Sequence, residues 1–325
     1  MTRREVIALI GGAAASPLAA HAQQPSLPVV GYLDAGTPDT SANLVAAFRK
    51  GLAEAGYVEG RNVAIEYRFS HNEPARRQEL VADLISRRVA VIMVNGTGTA
   101  LVVKAATTTI PIVFRGGSDP VSDGLVASFN RPGSNVTGVT NVGGELGAKR
   151  LGLLHELIPG ATRFALLVQP NTTFAQSTIM NTKVAATAIG RQLEILSAST
   201  NREIDAAFER LVQMRADALV VSPAILFENR RVQLATLAAY TRVPAIYAGR
   251  ENAVAGGLMS YGSRLTEEFR QAGIYTGRIL KGERPADLPV LQPAEFDFVI
   301  NMQTARTLGI TVPPSLRALA TEVIE

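Results

Sequence analysis

The chain carries the same pattern of residues twice, about one domain apart, and this repeat limits the possible folds more than any other feature. Residues 83–95 (DLISRRVAVIMVN) match 209–222 (ERLVQMRADALVVS), and 105–116 (AATTTIPIVFRG) match 238–249 (AAYTRVPAIYAG). In each copy a helix end leads into a short apolar strand, and a proline opens the next strand. Two copies at this spacing predict two similar α/β lobes rather than a short-period solenoid. A cleft between such lobes is where a small ligand is expected to bind.

Length and composition fit this picture and exclude several kinds of chemistry. The chain has 325 residues, 47% apolar and 18% charged, which is enough for two folded domains with cores of their own. It has no cysteine, which excludes disulfides, thiolate nucleophiles, cysteine metal sites and a lipidated N-terminal cysteine. The net charge is only +4 and the arginines are scattered, so no nucleic-acid partner is predicted.

Residues 1–22 have the pattern of a targeting segment. Arg3 and Arg4 precede an apolar stretch at 6–15, and Ala20 and Ala22 have the small-x-small spacing of a cleavage site. This predicts export to the periplasm with cleavage after Ala22. The paired arginines favour the twin-arginine route, with an ordinary secretory signal as the alternative. The apolar stretch is too short to span a bilayer and no later segment is apolar enough, so no stable membrane insertion is predicted.

Short runs rich in Val and Ile alternate with amphipathic helices along the rest of the chain. Such runs are typical of strands buried on both faces of a parallel sheet. The strands are predicted at 27–33, 63–69, 89–94, 112–114, 163–168, 193–196, 218–221, 245–247, 258–260 and 296–300. The helices are predicted around 44–55, 76–87, 99–107, 120–129, 174–189, 203–214, 229–240, 265–280 and 304–308.

The turn-rich stretch 130–135 indicates where the first lobe gives way to the second. The repeated pattern of the second lobe is already complete near residue 258, so the helices and strands that follow cannot all belong to that lobe. The chain is therefore expected to return to the first lobe near Ser260 and to cross back near 289–293. The predicted lobe 1 is therefore 27–139 plus 260–288, and lobe 2 is 140–259 plus 289–325. Several crossings together would form a hinge.

In open α/β sheets, ligands bind outside the carboxyl ends of the strands, and here those ends are small and polar. Gly96, Thr97, Gly98 and Thr99 form the best candidate for an anion contact, such as a ligand carboxylate. The glycines allow close backbone approach, the hydroxyls donate hydrogen bonds, and the next helix adds its positive dipole end. Helix capping by Thr97 or Thr99 would explain the same residues without a ligand.

Two acidic residues near strand ends, Asp119 and Glu251, are candidates to hold a ligand ammonium group. Asp119 also has the pattern of a helix N-cap followed by a proline, which requires no ligand. Tyr32, Tyr247 and Tyr261 could stack on a ligand, although lone tyrosines more often pack in cores. Arg115 and Arg250 are interpreted as solvated or hinge-pairing charges. The remaining candidates at strand ends are Asp34, Thr37, Ser118, Asn171 and Ser222.

The sequence gives little support for catalysis. It has no Gly-x-Ser-x-Gly elbow, no phosphate loop ending in Gly-Lys-Ser/Thr, and no Gly-x-Gly-x-x-Gly after the first strand. His71 and His155 lie away from the strand ends, so a histidine triad or a histidine-rich metal site is not easily built. We therefore expect no catalytic residues, no metal and no cofactor.

Several runs resemble a known family. They are VAAFRKGL (45–52), GYVEGRNV (56–63), TIPIVF (109–114), NRPGSNVTG (130–138), GGLMSYG (256–262) and FVIN (298–301). Together they resemble the periplasmic substrate-binding components of ABC transporters, in the family that includes tryptophan- and tyrosine-binding members. The resemblance covers nearly the whole chain after residue 22. It implies a type I periplasmic-binding fold, in which two Rossmann-like lobes with parallel sheets are joined by three crossings.

The resemblance also implies a ligand and a partner. The ligand would be like an amino acid, with its carboxylate on the 96–99 loop and polar contacts from Ser118, Asp119, Asn171, Ser222 and Glu251. The main hypothesis is thus an exported, non-catalytic protein that closes on a small solute and delivers it to a membrane permease. Closure would need ligand contacts to both lobes. The alternatives are a sensory module that signals to a membrane receptor and an exported enzyme.

Overall fold

The structure is a computed structural model that describes residues 27–71, 73–141, 146–172, 175–292 and 295–325. The predicted targeting segment at 1–22 lies outside these ranges. Within them, no helix is both long enough and apolar enough to cross a membrane.

Twelve strands are seen in the described ranges, and they form two sheets. The first sheet contains β1 (Val29–Asp34), β2 (Ala64–Phe69), β3 (Val91–Asn95), β4 (Ile112–Gly116) and β5 (Val136–Thr140). The second contains β6 (Arg163–Val168), β7 (Gln192–Ser197), β8 (Ala218–Val221), β9 (Ala245–Tyr247), β10 (Met259–Ser263), β11 (Phe296–Asn301) and β12 (Glu322–Ile324). We call the first sheet and the helices packed on it lobe 1, and the second sheet with its helices lobe 2.

Helices alternate with the strands through most of the chain. Those before the second sheet are α1 (Pro38–Glu54), α2 (Arg76–Ser86), α3 (Thr97–Ala106) and α4 (Leu146–Leu157). Those that follow are α5 (Ala175–Ala188), α6 (Asn201–Gln213), α7 (Ile225–Asn229), α8 (Arg231–Thr241), α9 (Arg250–Val254), α10 (Leu265–Leu280), α11 (Met302–Leu308) and α12 (Pro314–Leu319).

The two sheets have the same strand order, which confirms the prediction of two similar α/β lobes. The first sheet runs β2-β1-β3-β4-β5 with all neighbours parallel. The second runs β7-β6-β8-β9-β10-β11-β12, so its first five strands repeat the order of the first sheet. Only β11 is antiparallel to its neighbour β10, and β12 is parallel to β11. The repeated sequence segments form the third and fourth strands of each sheet.

Each sheet packs against apolar residues on both of its faces. For this reason its strands do not alternate between polar and apolar side chains. In β3, Ile92 and Val94 pack in one cluster, whereas Val91 and Met93 pack in the cluster on the opposite face. All five residues of this strand are buried. Full burial of a Val or Ile side chain is worth about 1.5–3 kcal/mol, so a strand buried on both sides contributes strongly to its lobe.

The helix α10 follows a strand of the second sheet but packs on the first. Its residues Phe269, Ala272 and Tyr275 lie in the same core cluster as Val30 of β1. It also crosses α1 at close range, since a Cβ atom on Gly51 would overlap the carbonyl oxygen of Arg270. The chain therefore does return to lobe 1 for one long helix.

The return occurs slightly later than predicted. Ser260 lies inside β10, which extends to Ser263 and belongs to the second sheet, so the crossing follows Ser263. The last crossing lies between Leu291, which bridges to Val139 of β5, and the start of β11. The first crossing follows β5, at Asn141.

Two predicted helices also differ. Residues 120–129 form turns instead of a helix, with Gly124 at φ 71° and the carbonyl of Pro120 accepting from both Leu125 and Val126. A regular helix cannot continue through that glycine conformation. The helix predicted at 229–240 begins earlier, as the separate α7, and changes direction at Arg230 before α8. α4 was not predicted.

Candidate functional site

A cavity of about 500 Å³ lies between the lobes, at the carboxyl ends of both sheets. Lobe 1 contributes residues after β1, β3 and β4, and lobe 2 contributes residues after β6, β8 and β9. The lining includes Ala35, residues 96–99, Gly117, residues 169–172, residues 223–226, Ala248 and Gly249. This is the place that the strand-end argument predicts for a ligand.

A smaller cavity of about 130 Å³ adjoins the main one. The two share Ile225, Glu228, Gly249, Ser263 and Leu265 as lining residues. Ile225 belongs to lobe 2 but contacts lobe 1, because a Cβ atom on Gly96 would lie 3.4 Å from its Cδ1. Ile225 of lobe 2 therefore approaches lobe 1 closely beside the cavities, both of which it lines.

The loop from Gly96 to Thr99 lines the main cavity as expected. Gly96 has φ 101°, a conformation that favours glycine, and it is the N-cap of α3 without a side-chain capping bond. Thr97 and Thr99 are both buried. The Thr97 hydroxyl instead lies within hydrogen-bonding distance of Ser118 Oγ, at 3.0 Å. The alternative in which these threonines cap the helix therefore does not describe this structure.

Asp34 is a buried carboxylate at the edge of the smaller cavity. Its Oδ1 accepts a 2.7 Å hydrogen bond from the Gly36 amide, and its Oδ2 accepts one of 3.1 Å from Asn95 Nδ2. Burial raises the pKa of Asp34, and these hydrogen bonds only partly offset the effect. The carbonyl oxygen of the Asn95 side chain is buried and has no partner within the described residues. Together these two side chains offer acceptors to a ligand.

Arg115, at the end of β4, lines the main cavity but is already paired. Its Nε donates a 2.6 Å hydrogen bond to Glu268, whose other oxygen accepts one of 2.6 Å from Asn141 Nδ2. Asn141 also donates to Ser263 Oγ at 2.7 Å. Burial would lower the pKa of Arg115, but the neighbouring Glu268 and Glu228 outweigh it and raise that pKa. The hinge-pairing interpretation of Arg115 fits these contacts.

Two further arginines line the same cavity, and neither has an acidic partner in the part of the chain that the structure describes. Arg150 of α4 is 1% exposed, and its Nε donates a 2.7 Å hydrogen bond to the Tyr261 carbonyl. Its Nη1 is buried and has no partner among the described residues, and burial lowers the pKa of Arg150 to about 10. Arg77 of α2 is half-buried and its Nε has no partner either. Burial also lowers the pKa of Arg77.

Glu228 of α7 lines both cavities and is the one acidic residue among the described lining of the main cavity. Burial raises the pKa of Glu228, while the charge of Arg115 acts in the opposite direction. The smaller cavity is more acidic, with Asp39, Glu251 and Asp297 in its lining beside Arg231 and Arg250. The cleft thus has a basic part and an acidic part.

The structure brings about half of the predicted site residues to the cleft. Gly96, Thr97, Gly98, Thr99 and Asn171 line the main cavity, and Asp34 and Glu251 line the smaller one. Asn171 has φ 59°, a conformation that asparagine tolerates. Glu251 also lies 3.4 Å from Arg250, whose main partner is Glu322 at 2.6 Å.

Three predicted residues, Thr37, Ser118 and Asp119, lie outside both cavities and have local roles. Thr37 caps α1 by accepting from the Thr40 amide. Asp119 is exposed and accepts backbone N–H groups from the residues that follow it, as a helix N-cap would, although those residues form a turn and not the predicted helix. Ser118 is buried behind Thr97, and its hydroxyl donates a 2.6 Å hydrogen bond to Asp123 Oδ2 while its Oγ lies 3.0 Å from the Thr97 hydroxyl, which it positions.

The last three predicted residues, Ser222, Tyr247 and Tyr261, pack inside lobe 2. Ser222 is buried directly after β8. Tyr247 is buried in an apolar cluster, where its hydroxyl donates to the Leu234 carbonyl at 3.4 Å. The Tyr261 ring stacks on Phe296, with 5.8 Å between centroids. Packing, the commoner role of a lone tyrosine, describes both tyrosines.

The sequence analysis did not identify Arg77, Asn141, Arg150 and Glu228 as residues of the cleft, and it interpreted Arg115 as a solvated or hinge-pairing charge. For Arg150 a signal existed. It lies at helical spacing from Leu153, Leu154 and Leu157, so a charge interrupts the buried stripe of a helix. A buried arginine without an acidic partner among the described residues is costly, which points to a functional role. No three metal-ligating side chains converge within the described residues.

Solved structures with the same fold are periplasmic binding proteins. A Streptococcus pneumonia ABC domain in complex with L-Trp has a TM-score of 0.84 at 23% identity, covering 92% of this chain and 100% of that one. The ligand-free, open structure of a substrate-binding protein with adhesive properties from Clostridium difficile has a TM-score of 0.66 at 23% identity. That match covers 92% of this chain and 99% of the other. The type I periplasmic-binding fold is thereby confirmed.

The sequence profile of the family described as ABC transporter substrate binding protein matches residues 39–324, so this chain belongs to that family. A curated relative, the tyrosine-binding protein of Clostridioides difficile (strain R20291), is 27% identical over 266 residues, which are 81% of this chain and 75% of the relative. The family consists of non-enzymatic solute-binding proteins, which confirms the prediction that the chain is not an enzyme.

Proposed function

We propose that this protein captures a small solute with a carboxylate group, an amino acid or a related acid, in the cleft between its lobes. It is exported to the periplasm and delivers the solute to the membrane permease of an ABC importer. The observation that carries this proposal is the 500 Å³ cavity lined by both lobes at the carboxyl ends of both sheets. A ligand that contacts both lobes favours their closed arrangement.

The charges around the cleft support a carboxylate ligand. The backbone of the 96–99 loop, the buried Thr97 and Thr99 hydroxyls and the unpaired Arg150 all favour an anion. Asp34, Glu228 and Glu251 line the smaller cavity, and Glu228 lines the main cavity as well; these carboxylates would accept from an ammonium group. Relatives named for tyrosine binding or solved with L-Trp support a ligand of the amino-acid type.

Export and delivery rest on different observations. Residues 1–22 have the pattern of a cleaved targeting segment, and periplasmic location would place the cleft where solutes arrive. The permease follows from membership in a family of ABC transporter components. The proposed ligand contacts are the predicted residues that line the cavities, namely Asp34, Gly96, Thr97, Gly98, Thr99, Asn171 and Glu251.

Native mass spectrometry of the protein purified from the periplasm is the direct test. A retained small molecule, or a melting temperature that rises with the concentration of an amino acid or small carboxylate, would support the proposal. Loss of cellular uptake of that solute when the gene is deleted would support delivery to a permease. A protein with neither a retained mass nor a thermal shift across such a panel would contradict it.

A further inference from the structure

We infer that the main cavity takes a ligand with two acid groups, one held by Arg77 of lobe 1 and the other by Arg150 of lobe 2. The ligand class is therefore a small dicarboxylic acid or dicarboxylic amino acid. This inference rests on the proposed function, since it concerns the same cavity. It narrows the solute from any carboxylate to a ligand whose two anionic groups contact opposite lobes.

The first argument is the isolation of Arg150. Arg150 lines the main cavity with a buried guanidinium, whose Nε donates to the Tyr261 carbonyl and whose Nη1 has no partner among the described residues. No carboxylate of the described residues lies within ion-pairing distance of it. A buried charge without a partner destabilises a folded protein, and a ligand carboxylate would supply the missing acceptor in a charge-assisted pair.

The second argument is that another arginine, Arg77, lines the cavity from the opposite lobe. Arg77 lies in the first turn of α2, which packs on the first sheet, and its buried Nε has no partner. Arg115 cannot serve the same purpose, because Glu268 already neutralises it at 2.6 Å. Two unpaired guanidinium groups therefore remain within the described lining, one on each lobe.

The third argument is charge balance. Against Arg77 and Arg150 the described lining of the main cavity offers one unpaired acid, Glu228. A dicarboxylic amino acid matches this set group for group, with two carboxylates for the arginines and an ammonium for Glu228. A simple dicarboxylate matches it when Glu228 is protonated, and burial favours that protonated form. A neutral amino acid would leave one guanidinium unpaired in either case.

The described lining also argues against an aromatic ligand. It contains no Phe, Tyr or His ring, and its apolar part consists of Ala, Pro, Leu and Ile side chains. Aromatic ligands gain affinity from offset or edge-to-face contacts with other rings, which these residues do not provide. The specificity of the tyrosine-binding relative is thus not expected in this chain.

Isothermal titration calorimetry of the purified protein tests the inference with four probes: L-glutamate, glutarate, L-glutamine and L-tyrosine. L-Glutamate or glutarate should bind about 100-fold more tightly than the other two, because a site built for a charged group rejects the analogue that lacks it. Tighter binding of L-glutamate indicates that Glu228 holds an ammonium group, and tighter binding of glutarate indicates that it does not. Both results support two acid groups.

Arginine variants then assign the two contacts. Arg77→Gln and Arg150→Gln should each weaken binding of the preferred diacid about 30-fold or more. If L-glutamate is the preferred ligand, the variant that has lost the contact to the ligand's side-chain carboxylate should bind L-glutamate and L-glutamine equally. The other variant should bind both of these ligands more weakly than the parent does. Arg202→Gln, at an exposed arginine on α6, is the matched control and should bind as the parent does. Arg150→Gln should melt no lower than the parent, because the substitution removes an unpaired buried charge.

Two results would overturn the inference and can be told apart. If L-glutamine or L-tyrosine binds as tightly as both diacids, or if neither variant weakens diacid binding, the two-acid site is wrong while the solute-binding function stands. If none of the four probes binds and no solute is retained in native mass spectrometry, the proposed function fails together with it.

Discussion

Nε of Arg115 and Oε2 of Glu268 lie 2.6 Å apart in a nearly fully buried ion pair that joins β4 to the first turn of α10. Asn141, where the chain first leaves lobe 1, donates to the other oxygen of Glu268 and to Ser263, where the chain returns. The pair therefore connects two of the crossings to the core of lobe 1. Arg115, Asn141 and Ser263 also line the main cavity, so the hinge contacts are next to the ligand site.

Glu268→Gln should destabilise the protein substantially. Removing the charge of Glu268 leaves Arg115 buried without an ionic partner, and breaking one half of a buried pair costs about 3–5 kcal/mol. The free energy of unfolding, measured by urea titration with circular dichroism, should fall by roughly this amount. The double variant Arg115→Met, Glu268→Leu should recover most of the loss, because apolar side chains need no partner.

Asp287→Asn is the control for this prediction. It breaks the Arg284–Asp287 pair, which has a similar distance of 2.7 Å but lies at the surface. Exposed pairs are screened by solvent, so the urea midpoint should not change measurably. Equal effects of Glu268→Gln and Asp287→Asn would show that burial of the hinge pair has no special importance.

Asp34 should make the free energy of unfolding fall as pH rises, which is the opposite of the usual effect of an aspartate. Burial raises the pKa of its carboxyl, so the folded state holds the proton more tightly than the unfolded state. Its contribution to stability is therefore present at low pH and is lost as pH rises from the ordinary aspartate pKa, about 3.9, through the raised value. Asp34→Asn cannot titrate. The unfolding free energy of the parent minus that of Asp34→Asn should fall as pH rises above about 4, and a constant difference would contradict the prediction.

Most of the fold could be predicted because its determinants are local or repeated. The repeat in residues 83–116 and 209–249 predicted equivalent strands, and apolar runs buried on both faces located β3 and β8 to within two residues. The exceptions have physical causes. The segment 120–129 has a helical pattern, but Gly124 adopts a left-handed conformation there. The length of β10 depends on its antiparallel pairing with β11, which is far away in sequence.

Sequence reasoning located residues that line the cavities mainly where one short segment carries the chemistry. The 96–99 loop combines glycines, hydroxyls and a helix start, and it does line the cavity. Asp119 has equally suggestive neighbours, but its carboxylate is used by the amides that follow it. The roles of Arg115 and Arg150 depend on partners, or on their absence, in segments more than 100 residues away. Such relationships become visible only in three dimensions.

Gly51→Ala should destabilise lobe 1 although alanine favours helices. A Cβ atom at this position would overlap the Arg270 carbonyl oxygen, and Gly273 on α10 faces α1 equally closely. The helices must move apart, at a cost of about 1–3 kcal/mol in unfolding free energy. Gly152→Ala, in the interior of α4 with nothing within 4 Å of its Cβ position, should instead stabilise by about 0.5–1 kcal/mol. Urea titrations should show a lower free energy of unfolding for Gly51→Ala and a higher one for Gly152→Ala. A Gly51→Ala variant that is more stable than the parent would contradict the close packing of α1 and α10.

Ile225→Ala should weaken ligand binding while leaving unfolding stability nearly unchanged. Ile225 lines both cavities and reaches from lobe 2 to Gly96 of lobe 1, so much of its contact exists only when the lobes are together. An interaction formed only in the closed arrangement contributes to ligand affinity through closure, not to the core of either lobe. The affinity for the tightest of the four calorimetry probes should drop about 10-fold, equivalent to about 1.4 kcal/mol. Val232→Ala, at a side chain that is 64% exposed on α8, should change neither quantity. If Ile225→Ala instead lowers the urea midpoint and keeps full affinity, this side chain supports lobe 2 and does not act in closure.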